Sequence, residues 1–229
     1  MMLFSLPLVA QAPDSPVDGA KGGTRMALKQ PVCASALEVC FVRHGCTDWN
    51  EQGRYQGRRD IPLNDRGRAQ AEACAAHLAA GRWNAVVASP LARARETAAI
   101  IAARLGLAVR VMDQFTERDG GALNGLTAAE REERGIPHPP PGFEDDAAVW
   151  SRVRSGLSEL SSALAGGRAL VVSHGGAIRV ALAGMAGWDV WETGAQFDNT
   201  GLTTVRFADG VWRIVHVNDL PHRRPGLFA

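Results

Sequence analysis

Short apolar runs alternate with longer amphipathic segments along most of this chain. Runs rich in β-branched and aromatic residues predict buried strands, and apolar residues at helical spacing predict helices. The predicted strands span about residues 37–43, 84–88, 108–112, 168–173, 202–207 and 211–217. The predicted helices span about 65–80, 90–104 and 144–165, with a short helix after Thr127 and another after Gly176. Strands that alternate with helices are typical of an α/β fold with a mainly parallel sheet.

Local signals mark several element boundaries. Ser89 is expected to cap the second helix, with Pro90 at its first position, and Gly106 follows its end. The acidic residues 144–146 favour the N-terminus of the long third helix, where the helix dipole stabilises negative charge. The Asp-Gly pair at 209–210 predicts a tight β-hairpin near the C-terminus.

The first 36 residues carry no such pattern. Residues 1–12 are apolar and end in Ala-Gln-Ala, which resembles a signal-peptidase site, but no Lys or Arg precedes the apolar part. Residues 13–36 are rich in Pro, Gly, Lys and Ser. We therefore expect a disordered N-terminal extension over 1–36, with Met26 as an alternative start, and a single domain over 37–229.

Composition excludes several classes of function. The 25 basic and 24 acidic residues give a net charge of +1, so the chain has no basic field for nucleic acid. No apolar run is long enough to span a membrane. The four cysteines lack metal-binding spacing, which suits a reduced, cytoplasmic protein. We expect no nucleic-acid or membrane partner, and a homodimer is compatible with these features.

Chemically active residues follow three of the predicted strands. The first strand ends in Arg43, His44 and Gly45, and the strand at 168–173 is followed by His174. Arg93 lies in the first turn of the helix after the strand at 84–88. Carboxyl ends of parallel strands meet at one edge of a sheet. We expect these two arginines and two histidines to meet there, with Gly45 letting the backbone approach a ligand.

This set of side chains suits phosphoryl transfer to a histidine. His44 is the candidate nucleophile, with its second ring nitrogen donating to a backbone carbonyl. Arg43, Arg93 and a protonated His174 would meet the negative charge on the phosphate oxygens. The leaving alkoxide needs a proton, and a carboxyl group beside a dianion is suited to supply it. Glu117 is the best candidate, and the alternative is Asp119.

The polar loop that follows the first of these motifs carries three arginines: Arg54, Arg58 and Arg59. Each has two interpretations of equal weight. It either lines the site or lies on a solvated surface, where it would pair with Asp60 or Asp65.

These motifs, taken in order, resemble those of the histidine phosphatase superfamily, in the branch of cofactor-dependent phosphoglycerate mutases and their phosphatase relatives. The resemblance covers about residues 37–218. The motifs that carry it are Arg43-His44-Gly45-x-Thr47-x-x-Asn50, Gly53-Arg54-x-Gln56-Gly57, Ser89-x-Leu91-x-Arg93, Glu117-x-x-x-Gly121-x-Leu123-x-Gly125 and Ser173-His174-Gly175-Gly176.

The resemblance implies a role for each matching residue. His44 would be the phosphohistidine and Glu117 the proton donor, while Arg43, Arg93 and His174 would form the phosphate pocket. No metal ligand and no cofactor is implied. The resemblance also implies substrate-binding groups at the rim of the pocket, namely Asn50, Asn199 and the backbone near Gln56 and Gly57. Thr47 is a further substrate-binding candidate, because Thr47 and Asn50 are small polar residues able to bond phosphate oxygens or to hold the loop.

Two features of the sequence point to different subclasses. The stretch 117–126 resembles the mutase version, because most phosphatase relatives carry Trp-Glu where Leu123-Asn124 stands. Only 57 positions separate Glu117 from His174, however, whereas mutases carry a longer insertion that keeps water from the phosphohistidine. We give the missing insertion more weight, because it acts on the fate of the intermediate.

We therefore expect a three-layer α/β/α sandwich with a mainly parallel sheet and a C-terminal β-hairpin. The expected function is metal-independent hydrolysis of a small phosphorylated metabolite through a phosphohistidine. The first alternative is a cofactor-dependent phosphoglycerate mutase. The second is a catalytically weak regulatory protein that binds phosphorylated ligands, and a measurable turnover would exclude it.

Overall fold

A central sheet of six strands organises the protein, as the computed structural model describes it over residues 36–164, 166–187 and 196–223. In sheet order the strands are β3 (Val109–Val111), β2 (Ala85–Ala88), β4 (Arg168–Ser173), β1 (Leu37–Arg43), β5 (Leu202–Ala208) and β6 (Val211–Asp219). The first four are parallel, while β5 runs antiparallel to β1 and β6 runs antiparallel to β5. The predicted mainly parallel sheet with a C-terminal hairpin is confirmed.

The described residues all belong to one structural unit, residues 33–229. The predicted N-terminal extension over 1–36 lies outside them apart from Ala36, so the extension and its boundary stay predictions.

Six α-helices and three short 3-10 helices occur in the described ranges. The α-helices are α1 (Asp48–Glu51), α2 (Asp65–Leu78), α3 (Ala92–Leu105), α4 (Ala128–Glu133), α5 (Asp146–Ala163) and α6 (Gly175–Ala186). The 3-10 helices are Asp113–Phe115, Gly121–Leu123 and Pro221–Arg223. Among the helices that can be described, none is both long and apolar enough to cross a membrane.

The sheet separates two hydrophobic cores, which makes three layers. Alternate residues of β4 point to opposite faces, as strand geometry requires. Ala169 and Val171 join the core that includes α5 and α6, whereas Leu170 and Val172 join the core that includes α2 and α3. The predicted α/β/α sandwich is therefore present.

The start of α3 differs from the sequence prediction. Ser89 was expected to cap this helix with Pro90 at its first position, but the helix begins at Ala92 and its N-cap is Leu91. The hydroxyl of Ser89 is engaged with His174 instead, 2.7 Å from Nε2. The Oδ1 atom of Asp60, from the preceding loop, accepts the Ala92 N–H at 2.6 Å and takes over part of the capping role.

The start of α5 also lies slightly later than predicted. Asp145 is its N-cap and accepts the N–H of Ala148 at 2.7 Å, so only part of the acidic cluster serves the helix terminus. Glu144 instead forms ion pairs with Arg152 and Arg58.

Strand pairing places the ends of β1, β2 and β4 at one level. Arg43 lies opposite Ser173 in the β1–β4 register, and the N–H of His44 donates to the Ser173 carbonyl at 3.0 Å. The N–H of Ser89, just beyond β2, donates to the Val172 carbonyl at 3.0 Å. The residues after these three strands are therefore held side by side.

Candidate active site

His44 is buried at the end of β1, with 2% of its surface exposed. Its Nδ1 lies 2.7 Å from the carbonyl oxygen of Gly45, so Nδ1 carries the proton and donates. Nε2 accepts a long hydrogen bond of 3.3 Å from Nε of Arg93. Burial and the nearby guanidinium groups hold the pKa of His44 well below its ordinary value of 6.5. His44 is therefore neutral, with its unprotonated nitrogen at Nε2.

The loop after His44 is clamped against α2. A side chain at Gly45 would come within 2.4 Å of the carbonyl oxygen of Gly67, and one at Gly67 would come within 2.0 Å of the Cys46 carbonyl oxygen. The N–H of Gly45 also donates to the Thr97 hydroxyl at 3.0 Å. Gly45 was expected to let the backbone approach a ligand. The close approach it permits in the structure is to the backbone of Gly67 in α2.

Arg93 projects from the first turn of α3 and is fully buried. Its terminal nitrogens donate to the carbonyls of Arg59 at 2.7 Å and Gly57 at 2.8 Å. Burial lowers the pKa of Arg93 to about 10, so the side chain still carries its charge at neutral pH. Arg43 donates from a terminal nitrogen to the carbonyl of Phe197.

His174 begins α6 directly after β4 and is fully buried. The centre of its ring lies 5.1 Å from that of His44. Burial, together with the charge of Arg93, holds the pKa of His174 well below 6.5. These effects favour a neutral His174, so the protonated His174 expected from the sequence needs a bound anion to offset the cost of burying the charge.

Glu117 comes from the loop after β3 and lies against the N-terminus of α6. Its carboxylate oxygens accept the N–H groups of Gly176 at 3.2 Å and Ala177 at 2.9 Å. Asp119, the alternative proton donor, accepts the Gly121 N–H at 2.9 Å and the Asn124 amide at 2.8 Å. These hydrogen bonds lower the pKa of Asp119 and commit it to the loop.

A cavity of about 240 Å³ opens between these residues. Seven of the ten residues singled out from the sequence line it, and among the loop arginines only Arg54 does. Three lining residues had not been singled out: Tyr55, Arg179 and Phe197. The predicted residues on its wall are Arg43, His44, Asn50, Gln56, Gly57, Arg93 and Glu117.

Three of the predicted residues do not line this cavity: His174, Thr47 and Asn199. The Thr47 hydroxyl caps α1 by accepting the Asn50 N–H at 3.1 Å, and the residue is fully buried. The Asn199 amide donates to the His44 carbonyl at 3.0 Å and to Asn50 Oδ1 at 3.2 Å. Thr47 and Asn199 therefore hold the loop after His44 in place, which is the second of the two roles expected for Thr47.

The loop arginines do not pair with Asp60 or Asp65. Arg54 forms a 2.7 Å ion pair with Glu130, and Arg58 forms a 2.9 Å pair with Glu144.

The sequence did not predict a further set of contacts near the loop after His44. We call this set, formed by Thr200, His222 and Arg223, the brace at His222. His222 is buried, and its Nε2 lies 2.9 Å from the Thr200 hydroxyl. Thr200 has a φ of 61° and donates its N–H to the Arg43 carbonyl at 2.8 Å. Arg223 donates to the carbonyl of Asn199. No local pattern signals these contacts, since the partners lie more than twenty positions apart in the chain or act through the backbone.

Across the ranges that can be described, no group of three or more His, Cys, Asp or Glu residues is arranged to hold a metal ion. The cations that surround the cavity are the arginine side chains.

Comparison with known proteins gives consistent matches. The model of the histidine phosphatase superfamily, branch 1, matches residues 39–220. The uncharacterized phosphatase PhoE of Bacillus subtilis (strain 168) is 38% identical over 184 residues, 80% of this chain and 95% of that protein. The probable phosphoglycerate mutase GpmB of Citrobacter koseri is 30% identical over 188 residues, 77% of this chain and 87% of that protein.

Among solved structures, the native mycobacterial glucosyl-3-phosphoglycerate phosphatase Rv2419c superposes with a TM-score of 0.75 at 29% identity. The match covers 81% of this chain and all of that one. The predicted family and the predicted enzyme class, a phosphomonoesterase of the histidine phosphatase type, are confirmed. This chain belongs to the histidine phosphatase superfamily, branch 1.

Proposed function

We propose that this protein hydrolyses a small phosphomonoester through a phosphohistidine on His44, without a metal ion. One observation carries the proposal: a neutral, buried His44 has Nδ1 fixed by the Gly45 carbonyl, and it lines a cavity whose wall also carries four arginines. A neutral imidazole in a fixed tautomer is the form that attacks phosphorus.

Buried polar atoms beside the cavity support binding of a phosphoryl group. Within the described part of the chain, Nε of Arg43 and Nδ1 of His174 are buried without a hydrogen-bond partner. Buried polar atoms normally find partners, and both nitrogens can donate a hydrogen bond to a ligand rich in oxygen atoms. The charge of a phosphate dianion would also favour protonation of His174 once the ester is bound.

Binding of the ester would also free the nucleophile. Nε of Arg93 donates to Nε2 of His44 through a long 3.3 Å hydrogen bond. A phosphate oxygen is a better acceptor for a guanidinium group than an imidazole nitrogen is. Transfer of this hydrogen bond to the phosphate would expose the Nε2 lone pair to phosphorus.

The reaction then proceeds in two steps. Nε2 of His44 forms a bond to phosphorus as the ester P–O bond breaks, and the departing oxygen takes a proton from Glu117, whose protonated form is favoured by the charge of the bound phosphate dianion. In the second step Glu117, now a carboxylate, accepts a proton from water, whose oxygen attacks phosphorus as the P–N bond breaks. Inorganic phosphate and neutral His44 result.

Hydrolysis is favoured over transfer by the short segment between Glu117 and His174. That segment contains α4, a loop and α5, and α5 is committed to the core through Val149, Val153 and Leu157. Little chain remains to exclude water from the intermediate. The relatedness to the probable mutase GpmB keeps phosphoglycerate mutase activity as the second candidate.

The direct test is release of inorganic phosphate from a panel of phosphomonoesters, with and without excess chelator. We expect turnover that chelator leaves unchanged. Loss of activity in chelator, restored by magnesium or zinc, would contradict the metal-independent mechanism. The absence of turnover on every ester would favour the regulatory, ligand-binding alternative.

A further inference from the structure

A second and larger cavity of about 780 Å³ lies beside the first. Its walls come from the loop around Tyr55, the segment that contains α4, and the residues that precede α5. Both apolar and charged side chains line it.

Two chain segments pass directly from one cavity to the other. Tyr55 lines both cavities, while its neighbour Arg54 lines only the smaller one. Glu117 lines the smaller cavity, and the next residue, Arg118, lines the larger one. The proposed proton donor therefore stands at the junction, where the oxygen of a leaving alcohol would have to be.

The larger cavity is mainly apolar. Leu123, Leu126, Pro139 and Phe143 contribute hydrocarbon surface, and the Tyr55 ring faces the same space. Burial raises the pKa of Tyr55 to about 12, so its hydroxyl stays neutral at physiological pH.

The charges on the wall of this cavity balance each other. Arg118 is buried, forms an ion pair with Asp146, and has its guanidinium carbon 4.9 Å from the centre of the Phe143 ring. Arg131 and Asp145 add one charge of each sign. A carboxylate entering this space would meet acidic side chains as well as basic ones, so the cavity offers no net attraction for an anionic alcohol.

The walls are held by backbone contacts, which makes the cavity preformed. The N–H of Tyr55 donates to the Leu126 carbonyl at 2.9 Å, and the N–H of Gly125 donates to the Tyr55 carbonyl at 2.7 Å. Gly120 packs so closely that a side chain there would come within 2.6 Å of the Tyr55 ring. A rigid site of this kind loses little entropy when a ligand enters.

We propose that the larger cavity binds the alcohol part of the substrate, and that this alcohol is neutral, largely apolar and bulkier than glycerate or serine. This inference rests on the proposed phosphomonoesterase function. The proposed substrate differs from glucosyl-3-phosphoglycerate, the substrate that appears in the name of the structural relative.

The test compares kcat/KM for three groups of alkyl phosphates with similar leaving oxygens. Methyl phosphate is the reference without an alcohol body, 2-phenylethyl phosphate carries a neutral apolar body, and phosphoserine and 3-phosphoglycerate carry charged ones. We expect kcat/KM for 2-phenylethyl phosphate to exceed that for methyl phosphate by about tenfold or more, because burial of a phenyl ring is worth at least that factor. The two charged esters should show no gain over methyl phosphate.

A substitution in the wall tests the site itself. Leu126→Asn should lower the preference for 2-phenylethyl over methyl phosphate, while Leu126→Met, which keeps an apolar wall, should largely retain it. Val215→Asn is the matched control, since Val215 is 44% exposed on β6 and does not line either cavity. It should leave the preference unchanged.

The outcomes separate this inference from the proposed function. Phosphate release with phosphoserine or 3-phosphoglycerate as the preferred ester would overturn the inference and leave the phosphatase function intact. An unchanged preference in Leu126→Asn would overturn the assignment of the cavity. No release from any of the esters would overturn the proposed function, and the inference with it.

Discussion

At the residue scale, burial decides the charge of the two histidines in the site. The pKa values of His44 and His174 both lie well below 6.5 because their rings are enclosed beside arginines. The sequence identified both residues but not this effect, since burial depends on how distant segments pack. A neutral His44 suits nucleophilic attack, and a neutral His174 can gain a proton when a phosphate arrives.

Glu117→Gln should slow hydrolysis of alkyl phosphates far more than hydrolysis of aryl phosphates. An alkoxide needs the proton of Glu117, whereas a nitrophenolate leaves unaided, and general acid catalysis is worth about 10²–10⁴-fold. The measurement is kcat on methyl phosphate and on 4-nitrophenyl phosphate. An equal loss of kcat on both esters would indicate that another acid donates the proton. Asp119→Asn should then lower kcat selectively for the alkyl phosphate.

His222 should make the protein less stable in acid. Burial, with Arg223 and His77 nearby and Asp219 acting in the opposite direction, lowers its pKa to about 4. The unfolded chain therefore binds more protons than the folded one between pH 6.5 and pH 4, so stability falls as pH falls through that window. This single group should make the free energy of unfolding about 2 kcal/mol lower at pH 5 than at pH 8.

Urea unfolding at pH 8 and pH 5 tests this effect. Between pH 8 and pH 5, the free energy of unfolding of His222→Gln should fall by about 2 kcal/mol less than that of the unaltered protein. His216→Gln, at an exposed position on β6, is the control and should not change the difference. Equal losses in His222→Gln and the unaltered protein would show that His222 does not carry this dependence.

At the scale of elements, the nucleophile loop is fixed by parts of the chain that are remote in sequence. Gly67 of α2 packs against it, Thr97 of α3 accepts its N–H, and Asn199 holds its backbone from the other side. Such clamps keep a catalytic group within a fraction of an ångström of its working position.

Gly45→Ala should reduce kcat by about 100-fold, because the new methyl group would displace His44 by pushing against the backbone of Gly67. Gly106→Ala is the control. Gly106 has a φ of 68° and open space around it, so alanine there should cost about 1 kcal/mol of stability without affecting kcat. Near-normal kcat in Gly45→Ala would mean that the loop does not need this clamp.

The predictable part of the structure is the part that local pattern encodes. The limits of β1 and β4 were predicted to the residue, because each is a continuous buried run between polar neighbours. The Asp-Gly hairpin is also as expected, with φ of 53° at Asp209 and 78° at Gly210. Packing and burial were not predictable, as the later start of α3 and the brace at His222 illustrate.

At the scale of the whole molecule, access of water to the site decides between hydrolysis and transfer. His44, the arginines and Glu117 line one cavity, and in the described part of the chain the segment between Glu117 and His174 adds only short helices, loops and α5. The resemblance to mutases in residues 117–126 concerns the surroundings of Glu117. It does not determine whether water reaches the phosphohistidine.

We therefore expect hydrolysis to exceed mutase turnover. With 3-phosphoglycerate and the bisphosphorylated primer, inorganic phosphate should form faster than 2-phosphoglycerate, because water reaches the intermediate before a second hydroxy acid does. Both products can be followed in one reaction. Formation of 2-phosphoglycerate much faster than phosphate release would make the mutase reading the better one.

The phosphoenzyme itself tests the central claim most directly. The protein is mixed with a ³²P-labelled phosphomonoester, quenched in base, and the label is mapped to a peptide. The account predicts an acid-labile, base-stable phosphohistidine on His44 that is absent from His44→Ala and present in the control variant His216→Ala. Label that persists in His44→Ala, or that maps to another residue, would contradict it.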